Sequence, residues 1–228
     1  MVLSVRDAQL SVLLWQHVRG PQTGRWALPG GGVEATQRLR EALTGHLESK
    51  VDITDVAWLE QVATHSNIER DPRARVIATG YLALVPADVE PLLPEDTRWF
   101  GVGELPPTAF DHDVFITAAL DRLRAKLSYT NIGFGLAPTE FTVQTLRTIV
   151  SAALGYQVSP TNLTRVMLRR RMIQPSGAIA GPGVRGGRPA VMYRFTHRTL
   201  TITDPFAVLR PPARLVTEEP ARIEDTER

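Results

Sequence analysis

The chain contains no cysteine, which excludes disulfide bridges and thiolate metal sites together. It has almost no lysine. Of its 26 basic residues, only Lys50 and Lys126 are Lys and the rest are Arg. No apolar run approaches the ~18 residues that a membrane-spanning helix requires. The opening stretch MVLSVRDAQLSV lacks the basic region and long apolar segment of a secretory signal. These absences lead us to expect a cytoplasmic protein with no membrane partner.

What is present is ordinary globular material. A length of 228 residues, 43% hydrophobic and 22% charged, suits one or two domains with a sizeable core. The net charge is only +2 but is unevenly spread. Residues 140–214 hold eleven Arg against Glu140 and Asp204, a net of +9, so the rest of the chain carries −7. A basic segment joined to an acidic one points to a polyanion partner, or to a solvated surface in an arginine-rich chain.

Patterning divides the chain in two. Runs at 2–5 and 10–14 read as a hairpin around Arg6–Ala8. Residues 36–50 read as a helix with Leu39, Leu43 and Leu47 on one face. Strands are expected at 56–65 and 75–85 around a polar turn, with a short strand in DTRWFGVGELP. A second helix covers 113–127, with Ile116, Leu120, Leu123 and Leu127 in phase. This mixture is an α/β or α+β domain. A linker is expected near 128–138. Beyond it, 142–154 reads as a helix with Leu146, Ile149, Val150 and Ala153 inward and Gly155 as its cap. Ser159-Pro160 starts another helix, with Ser as N-cap and Pro at the first position, running to about Arg171. A Gly/Pro-rich loop then feeds a strand. That order is the order of a winged helix-turn-helix. The expected domains are 1–128, 138–210 and an acidic, disordered tail at 211–228.

The helix after Ser159 has Val166, Met167, Leu168 and Ile173 for its apolar side. In helix-turn-helix proteins the second helix enters the major groove and its N-terminal residues touch base edges. Asn reads adenine and Arg reads guanine bidentately. Asn162 and Arg165 are therefore the base-contact candidates, Arg169, Arg170 and Arg171 the phosphate candidates, and Thr161 suits either. Arg185 and Arg188, between glycines, suit a wing reaching a minor groove. A solvated basic face and a plain glycine-rich loop remain the alternatives. Only Tyr193 and Phe195 are aromatic within 159–195, which argues against stacking on single-stranded RNA.

In the first half, WALPGGG at 26–32 resembles the opening of a Nudix box. Counted from Gly31, the pattern's first Glu falls on Gln37, its Arg-Glu pair on Gly45 and His46, and its paired acids on Ser49 and Lys50. A rival register places Arg40-Glu41 at the Arg-Glu pair and Thr44 and Gly45 at the paired acids. Nudix hydrolases hold Mg²⁺ or Mn²⁺ against a pyrophosphate with several carboxylates, because hard cations need anionic oxygen. Neither register supplies them. Glu48 lies one residue off, about 100° around the helix. We therefore expect a catalytically dead Nudix-like α/β/α sandwich with no metal and no cofactor. The bland alternative for the glycines is a strand-to-helix turn. The segment ERDPRARV at 69–76 suits phosphate contact through its arginines, or is a polar Asp-Pro turn.

Taken together, WALPGG (26–31), RDPR (70–73), AFDH (109–112), EFT (140–142), the Asn162–Arg165 helix and GRPAVMYRF (187–195) resemble the NrtR family, Nudix-related transcriptional regulators of NAD metabolism. The resemblance spans nearly all of residues 10–195. It implies a homodimeric repressor of NAD synthesis or salvage genes, bound to palindromic double-stranded DNA. It also implies release by ADP-ribose or a related NAD derivative at a site around Trp26, Arg70 and Arg73, with the angle across 128–138 as the moving part. The competing reading is a divergent hydrolase of ADP-ribose-type substrates, with Glu41, Glu48 and Asp71 as metal ligands.

Overall fold

The computed structural model describes residues 1–17, 22–71, 73–181 and 189–204. The expected hairpin forms from β1 (Val2–Arg6) and β2 (Gln9–Gln16). Asp7 and Ala8 turn it at positive φ, 48° and 61°, the backbone of a tight turn matched to strand twist. A short β3 (Trp26–Ala27), β4 (Trp58–His65), β5 (Ala78–Leu84) and β6 (Thr97–Gly101) complete one sheet. Its order is β3-β2-β1-β5-β4, with β6 also paired to β2. Among the described strand pairs of this sheet, β1–β5 is the parallel one.

Side chains alternate across this sheet, as its two-residue period demands. Leu3, Val12, Leu14, Leu82 and Leu84 face one apolar cluster. Val2, Leu13 and Ala83 face another. Helix α1 (Leu39–Val51) covers the second through Leu47 and Val51. Helix α2 (His112–Tyr129) covers the first through Phe115, Ile116, Ala119 and Leu123. Of the expected inward face of α1, Leu47 is buried and Leu43 packs half-buried on the second cluster, and Leu39 alone departs. Leu39 is 45% exposed, while Ala42, Leu47 and Val51 are buried.

The stretch expected as a linker is instead part of the core. Residues 132–135 form a 3-10 turn, and Ile132, Phe134, Leu136 and Ala137 have no exposure. Asn131 donates to the carbonyls of His197 and Thr199 at 3.0 Å each, and accepts from Thr201 N–H at 2.7 Å. Arg198 donates to the carbonyls of Phe134, Ala137 and Pro138 at 3.1–3.2 Å. Gly135 is there for space: a Cβ on it would sit 2.8 Å from Leu84.

Helix α3 (Val143–Leu154), α4 (Pro160–Arg169), and strands β7 (Phe141–Thr142), β8 (Ile173–Ala180) and β9 (Ala190–Phe195) follow. They form a second sheet of order β7-β9-β8. Leu146, Ile149, Leu163, Met167 and Phe195 join the cluster that holds Leu84 and Phe134. One apolar core therefore runs through both halves, and Ile132, Phe134, Leu136 and Ala137 belong to it. Among the described residues no helix is long and apolar enough to cross a membrane. The proposed tail at 211–228 lies outside the described residues.

Candidate functional site

A cleft of about 800 Å³ opens between the glycine loop at 30–32, α1, the β4–β5 rim and the start of α2. Its lining includes Trp15, His17, His46, Arg73, Phe110 and His112. The middle glycine, Gly31, is crowded by α1. A Cβ on Gly31 would lie 2.5 Å from the His46 ring. His46 Nε2 donates to Gly32 O at 2.8 Å, and Lys50 Nζ donates to Gly30 O at 2.8 Å. Ser49 Oγ turns back to Gly45 O of its own helix at 2.6 Å.

This donor set does not fit a hard divalent cation, which requires anionic oxygens. An ammonium and an imidazole stand on the loop instead. Among the described residues Asp71 is the one acid in the cleft lining. Glu41 accepts from Arg38 N–H at the helix start, and Glu48 is exposed. Asp71 accepts from Arg73 Nε and Nη2 at 3.0 and 2.8 Å. Those bonds hold its carboxyl down at about 2. Among the described residues no group of three His, Asp or Glu is placed to hold a metal ion.

The sequence-expected ligand residues separate here. Arg73 is in the cleft, its guanidinium 63% exposed and 5.9 Å from the Phe110 ring centroid. Arg70 lines it too but is 8% exposed and clasped on Asp111. Trp26 is not among the lining residues. It packs edge-on against Phe100, centroids 4.6 Å apart, because the strand period turns it away from its neighbour Ala27, which does line the cleft.

Sequence reasoning gave no role to His112, which lines the cleft, or to Asp111 and His65 behind Arg70. Burial raises the Asp111 carboxyl, but hydrogen bonds from Arg70 and His65 outweigh it and hold it below its usual range. His65 donates through Nδ1 at 3.3 Å and stacks on Phe115, centroids 4.0 Å apart. His112 Nδ1 accepts from Leu28 N–H at 3.0 Å, and burial pushes its pKa down to about 4. It is therefore a neutral ring with its proton on Nε2. Phe110 sits at φ 52°, strain of the sort that functional loops retain. The signal was there in AFDH, read only as a motif match.

The second region is the exposed face of α4. Thr142 caps α3 by accepting from Thr145 N–H at 3.1 Å, and Gly155 ends it at φ 80°, a left-handed cap that suits glycine. Ser159 caps α4, with Pro160 at its first position. Leu163 and Met167 face inward, whereas Leu168, expected inside, is 42% exposed. Thr161, Asn162, Arg165 and Arg169 are exposed on the outer side. Arg165 Nη2 donates to Asn162 Oδ1 at 2.7 Å, joining two base-contact candidates. Arg170 departs from the expected phosphate role. It donates to Ser128 O at 2.9 Å and to Asp204 Oδ2 at 2.5 Å, and is 16% exposed. Its place at the helix end turns it toward α2. Arg171, at φ 53°, is exposed in the turn. Arg185 and Arg188 lie outside the described residues.

Residues 1–119 match the NUDIX domain family. Over 204 residues the chain is 35% identical to the ADPR-responsive transcriptional repressor NtrR of Acinetobacter baylyi, covering 85% of this chain and 79% of that protein. The chain belongs to the NrtR family. The solved structure of Shewanella oneidensis NrtR complexed with a 27mer DNA superposes with a TM-score of 0.74 at 26% identity, over 85% of this chain and 90% of that one. An ADP-ribose pyrophosphatase of Methanocaldococcus jannaschii is 31% identical over 109 residues, 46% of this chain and 63% of that protein. The matches to the NrtR proteins cover 85% of this chain, and the match to the pyrophosphatase covers 46% of it.

Proposed function

We propose that this chain is a DNA-binding transcriptional repressor whose C-terminal half is a winged helix-turn-helix. The observation that carries this is the outer face of α4. Asn162, Arg165 and Arg169 stand exposed on a short helix seated by Leu163 and Met167, beside the β8–β9 hairpin. Asn and Arg at the start of such a helix are the residues that read base edges. The repressor function of the Acinetobacter relative and the DNA in the Shewanella complex support the same reading. The palindromic operator and a homodimer upon it belong to the proposal, since two-fold protein symmetry mirrors operator symmetry.

The cleft would then hold ADP-ribose or a related NAD derivative as an effector. Its size, aromatic walls and cationic rim suit a dinucleotide-like anion. The hydrolase alternative loses ground, because Glu41 and Asp71 are tied elsewhere and Lys50 stands where an acid is required. An effector acts only by binding two states differently.

The test is fluorescence anisotropy against duplexes from upstream of the chain's own operon and of NAD-synthesis genes, with unrelated duplex as competitor. Tight binding to one fragment, surviving competitor and reduced by saturating ADP-ribose, is expected. Equal binding to all fragments, vanishing as salt rises, would reject a sequence-specific repressor.

A further inference from the structure

The glycine loop meets a positive charge where its fold relatives among hydrolases need a negative one. Lys50 is not itself in the cleft lining, but its Nζ donates to Gly30 O and stands 5.9 Å from the Trp15 ring centroid, and both of those residues line the cleft. An ammonium has three donors, and the bond to Gly30 uses one. Above the loop there is room: a Cβ on Gly30 or Gly32 would meet nothing within 4 Å. Burial lowers the pKa of His17 on the same wall, and the charges of Arg73 and Lys50 lower it further. The local field is therefore positive before any ion arrives. In a metal-assisted site, a carboxylate holds a cation and the cation holds phosphate oxygens. Here carboxylate and cation are replaced together by one fixed ammonium.

We propose that Lys50 performs the task of the divalent cation, so that the cleft binds the diphosphate of its ligand directly and without metal. His46 supports this by pinning Gly32 and keeping the loop backbone beside Lys50. The inference rests on reading the cleft as an ADP-ribose site. It adds that recognition of the diphosphate is indifferent to magnesium.

Calorimetric titration of the full chain with ADP-ribose, in excess EDTA and in excess Mg²⁺, tests it. The expected result is the same Kd in both. Lys50→Gln keeps a donor for Gly30 O but removes the charge, and should weaken binding roughly 10- to 100-fold, as loss of a charge-assisted hydrogen bond does. Its thermal midpoint and its DNA affinity without ligand should match the parent protein, which separates ligand contact from loop support. Binding that requires Mg²⁺, or a Lys50→Gln protein that binds as well as the parent in EDTA, overturns the role of Lys50 alone. No binding of ADP-ribose under either condition overturns the effector reading, and this inference with it.

Discussion

Arg70 holds Asp111 at two points, Nη2 to Oδ1 at 2.5 Å and Nε to Oδ2 at 3.2 Å. The pair ties the turn after β4 to the start of α2 beside the cleft. Asp111→Ala would strand a guanidinium in a nearly dry position. The expected loss is roughly 3 kcal/mol, the usual effect of removing one member of a buried pair. Urea denaturation of Asp111→Ala beside Arg70→Met/Asp111→Leu decides the matter. The double variant should recover most of the loss. If it is as unstable as the single one, the pair is not the cause.

His112 makes stability depend on pH. Its folded pKa is about 4, against about 6.5 in the unfolded chain. Between these values the unfolded chain binds the extra proton, so stability rises with pH across that window. The contribution is fully present above about 6.5 and is lost as pH falls toward 4, on the order of 3 kcal/mol in all. Denaturation midpoints at several pH values should follow this slope. His112→Gln should flatten it, because its side chain does not titrate.

The arginines at the end of α4 should behave differently from one another. Arg169 is exposed, so Arg169→Ala should weaken binding to every duplex alike and reduce the salt slope by about one. Arg165→Ala should instead relax sequence preference, costing about 1–3 kcal/mol on the preferred fragment. Arg170→Ala should leave the salt slope unchanged and lower the melting temperature, because that side chain holds Ser128 and Asp204. A fall in the salt slope for Arg170→Ala would return it to the phosphate contacts.

Gly135→Ala probes the junction. Its new methyl would press within 3 Å of Leu84, an overpacking expected to cost about 1–3 kcal/mol. Because Gly135 and Leu84 meet where the two halves share a core, protease cleavage between the halves should accelerate as well. Unchanged cleavage would mean that the contact is local.

Much of the fold was legible because its signals are short-range. The hairpin at Arg6–Ala8, the Ser159-Pro160 helix start and the Gly155 cap each depend on a few adjacent residues. The errors came where partners are distant in sequence. The stretch 128–138 looks like a linker by its glycines, and only Leu84 and Arg198 reveal why it is packed. Arg70 looks free until Asp111, 41 residues away, is placed beside it. Arg170 looks like its neighbours until Asp204 arrives. In helix α1 Leu43 and Leu47 face the sheet as their spacing requires, whereas Leu39 lies at the first turn and overhangs the cleft.

Lys50 and Lys126 are the chain's only side-chain amines. Lys126 is paired with Glu60 at 3.0 Å and only 13% exposed, whereas Lys50 is exposed and bonded to the glycine loop at the edge of which the cleft begins. An acylating reagent at low dose thus has one ready side-chain target. The mass added there would report cleft occupancy directly: ligand that covers Lys50 would slow the labelling, and the protein would serve as its own sensor without any attached dye.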